Sequence, residues 1–333
     1  GNPAAVVLSH ISLDDSDSPS KSGLDSSHWM IQLAAENNLS ETAYIEKYSN
    51  NSLPCIDMKN NEKNTVYNYR LRWFTPTKEV ELCGHATLAA AHMLYESCHV
   101  PTSHPILFHT VHSGILTAQY DMNTKSIMLD FPAVSPVMIE SIPSDMVQHL
   151  FNAFGLTNKD ILYIGRSVYD LIVEITRDAF RLLDTINISA ICALGGRGVV
   201  LTCRGGKRCD SIVSNNIQMK QVAATETERV KKSTDEKVSY RSGGVTVDDR
   251  LNDIRFDFIS RCFFPLYGID EDPVTGSAHC ALAPYWCNKL QQTRCLGYQA
   301  SRRGGIVGVS VEGEGRVKLS GSAVTVIKSK VLV

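Results

Sequence analysis

Two distant stretches of this chain follow one plan. At residues 67–74, Tyr67, Tyr69, Leu71 and Trp73 alternate with Asn68, Arg70 and Arg72, which predicts a half-buried strand. It leads into Phe74-Thr75-Pro76, a short loop, and Cys83-Gly84-His85-Ala86 at the head of an Ala-rich helix. A second strand-like run at 254–263 leads into Phe263-Phe264-Pro265, another short loop, and Thr275-Gly276-Ser277-Ala278 at the head of another Ala-rich helix. With Gly84 set on Gly276, Ala86 falls on Ala278, Ala89 on Ala281 and Ala91 on Ala283. Small residues let other elements approach a helix closely on every side, as a buried helix requires. The expectation is a duplicated, pseudo-symmetric α/β (α+β) fold.

Length and charge agree with two units and exclude several functions. A chain of 333 residues is long enough for two domains, each with its own core. Its 33 basic and 35 acidic side chains offer no field for nucleic acid or anionic lipid. There is no apolar run long enough to span a membrane, and the opening Gly1-Asn2-Pro3 does not read as a secretory signal. The ten cysteines form no C-x-x-C pair or zinc-spaced cluster, so the expectation is reduced thiols in the cytoplasm and no metal. The chain has no initiator Met, which points to a trimmed chain or an incomplete gene model.

Further elements follow from periodicity and punctuation. A helix is predicted over 25–38, capped by Asp25 or Ser26, with Trp29, Met30, Leu33 and Ala34 on its apolar face and Asn37-Asn38 at its end. Segment 106–121 reads as a strand, a Ser113-Gly114 turn and a second strand. Other strands are expected at 126–131, 167–176 and 198–203, with a closing hairpin at 305–328 around Glu312-Gly313-Glu314-Gly315. Helices are expected at 86–97, 143–154 and 276–290, the last kinked by Pro284. From Arg204 to about Asp253 the chain is rich in Lys, Glu, Ser, Thr and Gly and poor in aromatics. This reads as a disordered insertion, a solvated excursion between two strands.

The two helix starts carry the first chemical expectation. A helix N-terminus presents N–H groups and partial positive charge, and so suits a carboxylate. Gly84 and Gly276 would let a ligand approach the backbone, and His85, Asp272, Thr275 and Ser277 add polar groups around them. Two such ends facing one cleft would hold a small acidic molecule at a domain interface.

Several segments resemble the phenazine-biosynthesis-like (PhzF-like) isomerase family. They are Gly1-Asn2-Pro3-Ala4-Ala5-Val6, Asn38-Leu39-Ser40-Glu41-Thr42-Ala43, Leu71-Arg72-Trp73-Phe74-Thr75-Pro76, Glu81-Leu82-Cys83-Gly84-His85-Ala86-Thr87-Leu88, Glu271-Asp272-Pro273-Val274-Thr275-Gly276-Ser277-Ala278-His279 and Arg303-Gly304-Gly305. They are ordered, span nearly the whole chain, and are most similar to the animal branch that includes the MAWD-binding protein. The resemblance implies a diaminopimelate-epimerase-like fold: two similar domains, each a curved mixed sheet or barrel around a central helix, with the active site between them. On that reading residues 1–118 form the first half, with the tail 325–333 packing there, and residues 119–324 form the second, with the 204–253 insertion. The family's usual first strand precedes Gly1-Asn2-Pro3 and is missing, which would leave a sheet edge uncovered.

The resemblance also assigns roles. Taken alone, Glu41 reads as a surface or capping residue, His85 as a helix-capping histidine and Asp272 as a turn residue before Pro273. The family pattern makes Glu41 the catalytic base and acid, His85 an active-site histidine and Asp272 the second carboxylate. Gly84, Gly276, Thr275 and Ser277 then contribute substrate-binding groups beside Cys83. In the two-thiol racemases of this fold a Cys precedes each Gly turn. Here the second site offers Asp272-Pro273-Val274-Thr275, so the thiol pair is incomplete and Cys83 reads as packing rather than base. Cys280 reads as core, and His92 and His279 as core or surface residues without a metal. The functional expectation is a cofactor-independent isomerase of a small carboxylate, acting as a homodimer. The alternatives are an amino-acid racemase or epimerase, and a non-catalytic binding protein for a WD-repeat partner.

Overall fold

The computed structural model describes residues 1–9, 26–48, 55–56, 63–64, 66–206, 254–313 and 315–330. In chain order the first elements are β1 (Ala4–Ser9), α1 (Ser26–Asn37), β2 (Glu41–Lys47), β3 (Cys55–Ile56), β4 (Lys63–Asn64), β5 (Tyr67–Phe74), β6 (Glu79–Val80), α2 (Gly84–Glu96), β7 (Ile106–His109), β8 (Ile115–Asp121) and β9 (Ser126–Pro132). Then come β10 (Val137–Met138), α3 (Ser144–Phe154), β11 (Ile161–Arg166), β12 (Asp170–Ile175), α4 (Arg177–Arg181), α5 (Ile188–Cys192), β13 (Gly198–Gly206), β14 (Phe256–Phe264) and β15 (Ile269–Asp272). The chain closes with α6 (Gly276–Leu290), β16 (Arg294–Gln299), β17 (Gly305–Glu312) and β18 (Arg316–Gly321). Two compact units result. One holds Gly1–Ser135, Val274–Arg294 and Val307–Val333; the other holds Pro136–Pro273 and Cys295–Ile306.

In the first unit the strands run in the order β1-β2-β5-β7-β8-β9-β18-β17, with β6 against β5. Parallel neighbours need a long connection, and α2 supplies it between β5 and β7, which pair Tyr67 with Ile106. Hairpins make the antiparallel joints. Gly114, at φ 68, closes the β7–β8 turn, where the Thr110 N–H donates to the Gly114 carbonyl at 3.1 Å. Helix α1 packs through Met30 and Ala34, both buried. The Tyr44 hydroxyl donates to the Met30 carbonyl at 2.6 Å, and the Tyr44 ring stands edge-on to Trp29 and Phe74. The helix stops where Asn38 turns to φ 47, a conformation asparagine tolerates.

Both Ala-rich helices, α2 and α6, belong to this first unit. Ala86, Ala90 and Ala91 are fully buried on α2, as are Ala278 and Ala283 on α6. Pro284 lies inside α6. Beyond β18 the chain is held on α2 by Glu96, which accepts from the Thr325 hydroxyl at 2.7 Å and pairs with Lys328 at 3.1 Å.

The second unit orders its strands β16-β14-β13-β12-β11-β10, with β15 on β14. Helix α3 lays Leu150, Ala153 and Phe154 on a core that includes Leu171, Val173, Val199, Leu201, Ile259 and Phe263. It ends on Gly155 at φ 66, whose N–H bonds to the Phe151 carbonyl at 2.8 Å. Asp170, 1% exposed, accepts from the Arg197 Nε at 2.8 Å, while the Arg197 guanidinium lies over the Tyr169 and Phe264 rings.

The internal echo runs deeper than the Gly-Ala match. In the first unit Arg72 forms a fork with Glu79, Nε to Oε1 and Nη2 to Oε2, both at 2.8 Å. In the second unit Arg261 forms the same fork with Glu271 at 2.7 and 3.0 Å. Each guanidinium lies 5.2 Å from the ring two residues on, Phe74 and Phe263 respectively. The register repeats too: Trp73 pairs with Val80, and Cys262 with Asp272. The repeated unit is therefore a long strand, a short antiparallel return strand and a helix, with an Arg–Glu clamp at the return.

Some elements differ from the sequence expectation. The half-buried reading of β5 fails at Arg72, 4% exposed, because β5 lies between β2 and β7 and Arg72 is neutralised by Glu79. The strand expected at 167–176 is present as β12 but starts only at Asp170, because residues 167–170 make the turn from β11, where the Ser167 N–H bonds to the Asp170 carbonyl at 2.9 Å. Residues 204–206, expected to open the insertion, finish β13; the remainder of that segment, 207–253, lies outside the described residues.

Replacing Asp170 by Ala leaves the largely buried Arg197 without its carboxylate. The expected loss is about 3 kcal/mol of unfolding free energy, read from urea denaturation. A change under about 0.5 kcal/mol would show that the pair behaves as a surface ion pair.

Candidate active site

The first unit brings Glu41, Cys83, Gly84, His85 and Gly276 of the expected groups together near the two helix starts. Gly84 opens α2 and Gly276 opens α6, and the two backbones meet: a Cβ built on Gly276 would lie 3.2 Å from the Gly84 Cα, and one on Gly84 3.3 Å from the Gly276 Cα. Only glycine leaves this contact unstrained. The residues before them, Cys83 and Thr275, are extended N-caps at φ −141, ψ 105 and φ −115, ψ 103, and neither side chain makes a cap hydrogen bond. The side chain three residues into each helix instead folds back onto the cap carbonyl. The Thr87 hydroxyl donates to the Cys83 carbonyl at 2.7 Å, and His279 Nδ1–H donates to the Thr275 carbonyl at 2.7 Å.

Glu41 is the first residue of β2, held in place from two sides. Its β1 neighbour in the parallel register is Ala4, and Thr42 pairs with Phe74 of β5. The loop before it is tied down by side-chain amides. Ser40 donates to Asn2 Oδ1 at 3.2 Å, Asn2 Nδ2 donates to the Val274 carbonyl at 3.1 Å, and Asn37 Nδ2 donates to Thr42 Oγ1 at 3.1 Å. Asn2 thus braces the Glu41 loop to the residues that lead into α6, a role the sequence reading did not assign.

Glu41 and His85 then face one another. Oε2 of Glu41 is 3.1 Å from Nε2 of His85, with the side chains 14% and 13% exposed. These two atoms are fully buried, yet among the described residues neither has an aligned hydrogen bond. A buried carboxylate oxygen and ring nitrogen left so are costly unless something else completes their bonding. On the other side of the ring, Nδ1 lies 3.5 Å from the Cys83 Sγ. Cys83, read from sequence as packing, is buried but also the second neighbour of the imidazole. Burial pushes its thiol pKa up, despite the opposing pull of His85. Burial alone would lower the pKa of His85, but its acidic neighbours, Cys83 first and then Glu41, hold it well above the usual histidine value.

One oxygen of Glu41, Sγ of Cys83 and one nitrogen of His85 lie within 4.8 Å of one another, close enough to be considered as metal ligands. The imidazole argues against a shared ion, because its two nitrogens face different partners. The ring of His85 thus lies between the thiol of Cys83 and the carboxylate of Glu41.

The other expected residues are placed as follows. Thr275 is buried at 7% exposure and Ser277 is half-buried at the start of α6. Asp272 belongs to the second unit, at the end of β15, 6% exposed, with its carbonyl accepting from Gln299 Nε2 at 2.8 Å. His279 is wholly buried and Cys280 is core. His92 lies 3.7 Å from Glu96, one helical turn on.

Residues 1–329 match the PhzC-PhzF family, described as phenazine biosynthesis-like protein. An uncharacterized isomerase of Halalkalibacterium halodurans is 36% identical over 332 residues, covering 100% of this chain and 93% of that protein. Mouse phenazine biosynthesis-like domain-containing protein 2 is 32% identical, over 98% of this chain and 92% of its own. A PhzF-family crystal structure from Enterococcus faecalis superposes with a TM-score of 0.65 at 30% identity, covering 97% of this chain and 89% of that one. A structure described as a predicted epimerase from Pseudomonas aeruginosa, 17% identical, shares the fold at a TM-score of 0.56 over 96% of this chain and 90% of its own. The fold is the diaminopimelate-epimerase-like α+β fold, as the echo and the resemblance led one to expect.

Acid should loosen the α6 start. Burial holds the pKa of His279 at about 4, so it folds neutral, while the unfolded chain takes up a proton near pH 6.5. This depressed pKa gives stability that is full above pH 6.5 and is lost as pH falls toward 4. At pH 5 the loss from this group is about 2 kcal/mol. Urea unfolding of His279→Asn at pH 7 and pH 5 should show a pH difference smaller by that amount; an undiminished difference would show that His279 is not the buried neutral group.

Proposed function

The chain belongs to the phenazine biosynthesis-like (PhzC-PhzF) family, and from that premise we propose that it is a cofactor-independent isomerase of a small carboxylate, working by proton transfer at carbon with Glu41 as base and acid. The observation that carries the proposal is the buried approach of Glu41 Oε2 to His85 Nε2 at 3.1 Å, beside the meeting of Gly84 and Gly276. Relatives named as isomerases, such as the one from Halalkalibacterium halodurans, support the reaction class.

The chemistry follows from the surroundings. The two helix starts offer N–H groups and partial positive charge to the substrate carboxylate, bringing an adjacent carbon within reach of β2. Glu41, shielded from water, takes a proton from that carbon, and the electron pair spreads into the conjugated carboxylate or ring. The protonated Glu41 then returns the proton at another carbon, completing a shift without a second reactant. His85 stabilises the carboxylate of Glu41 while it is charged, and its Nε2–H can donate to the developing anion. Asp272 is assigned as the second carboxylate by family likeness alone, orienting the substrate or assisting as acid.

The test is label uptake. The protein is incubated in deuterated water with a panel of small cyclic and amino carboxylic acids, and deuterium incorporation at carbon is followed by NMR. A substrate of the proposed class takes up label, and Glu41→Gln lowers the rate by roughly 10²- to 10⁴-fold. Inversion at one centre without a positional shift would select a racemase, and absence of uptake with every acid would overturn the isomerase reading. Tight binding of a WD-repeat protein alongside that absence would favour a binding role.

A further inference from the structure

We infer that Cys83 is a positioning residue for this proton transfer, holding Nδ1 of His85 so that the proton on the ring stays at Nε2, the nitrogen facing Glu41. The inference rests on the isomerase reading for its consequence, but its geometry stands apart from it.

Three observations point the same way. The thiol is not used in capping: Cys83 is the N-cap of α2, but its side chain makes no cap hydrogen bond, and the cap carbonyl is served by Thr87. Instead Sγ lies 3.5 Å from Nδ1, the nitrogen remote from Glu41. And the pairing is peculiar to one helix start. Where α2 has Cys83-Gly84-His85, α6 has Thr275-Gly276-Ser277, with hydroxyls in place of both thiol and imidazole.

A thiol suits both charge states of the ring. When the imidazole is neutral, S–H donates to a bare Nδ1 and leaves the hydrogen on Nε2. When the imidazole is charged, Nδ1–H donates to the sulfur, and Nε2 again carries a hydrogen. In neither state does a bare Nε2 face the Glu41 carboxylate, which would set two acceptors 3.1 Å apart. Burial, which pushes the thiol pKa up, keeps the S–H available for this exchange of roles. The groups that face the ring from β2 and from the α2 cap are Glu41 and Cys83.

The test reads the ring directly. The protein is labelled with ¹⁵N-histidine, and the His85 ring nitrogens, assigned by difference against His85→Gln, are followed through a pH titration. In wild-type protein Nε2 is protonated throughout, and Nδ1 alone gains and loses the proton. In Cys83→Ala the neutral ring loses its preference for hydrogen on Nε2, and signal from a bare Nε2 appears. The kcat for label exchange falls on the order of tenfold or more, with KM within about threefold, and Cys83→Ser recovers part of both. A wild-type ring with hydrogen on Nδ1 and a bare Nε2 overturns the inference, and this reading needs no variant to fold. So does a Cys83→Ala protein, folded by its thermal melt, whose ring titration and kcat match wild type. If wild-type protein exchanges no label with any acid, the isomerase reading fails while the ring spectrum still decides the role of Cys83.

Discussion

The contact between Gly84 and Gly276 is the constraint on which the site depends. Each glycine stands where a Cβ would press on the other's Cα at 3.2–3.3 Å, so a side chain at either position would push the two helix starts apart by a few tenths of an ångström. Everything chemical is arranged around that meeting. Thr87 and His279 brace the two cap carbonyls from inside the helices, and Asn2 ties the Glu41 loop to the approach to α6. The positive ends of two helices thereby lie beside a carboxylate that β2 fixes in place.

A second constraint is the treatment of buried charge. Arg72 and Arg261 are each neutralised by a glutamate on the return strand, with the same fork geometry and an aromatic ring beneath. Such pairs contribute little net stability when counted alone, because desolvation offsets the attraction. Their value here is register: a slip of β6 or β15 by one residue would leave a desolvated guanidinium unpaired. The clamp sits five residues ahead of each glycine in the chain, and so fixes how the strand delivers the chain to the helix. Glu41 and His85 are the opposite case: the buried Oε2 and Nε2 that face one another have no aligned hydrogen bond among the described residues.

Much of this was legible in the sequence. The small-residue helices, the two glycines and the strand before each are encoded in local pattern, and the ordered family motifs pointed to Glu41 and His85. The Arg–Glu clamps are encoded there too, since an Arg-x-Phe lies at or near the end of each long strand and a Glu precedes each glycine by a fixed interval, but the loops between differ in length and mask the repeat. Strand β2 was hidden because residues 42–45 are buried on both faces, which erases the alternation that marks a strand. The partnership of Cys83 with His85 was hidden for a different reason. Residues two apart on a helix do not face each other, but Cys83 is still extended, at φ −141 and ψ 105, and so its thiol swings to the ring.

The central claim is that one buried carboxylate, Glu41, both removes and returns the proton. A substrate carrying deuterium at the carbon to be deprotonated, turned over in ordinary water, tests this most directly. A single shielded base hands some of the label to the new position, so the product of the first turnovers retains a measurable fraction of deuterium, and Glu41→Gln forms no product. Product carrying only solvent hydrogen from the first turnover, formed at undiminished rate by Glu41→Gln, would contradict the account.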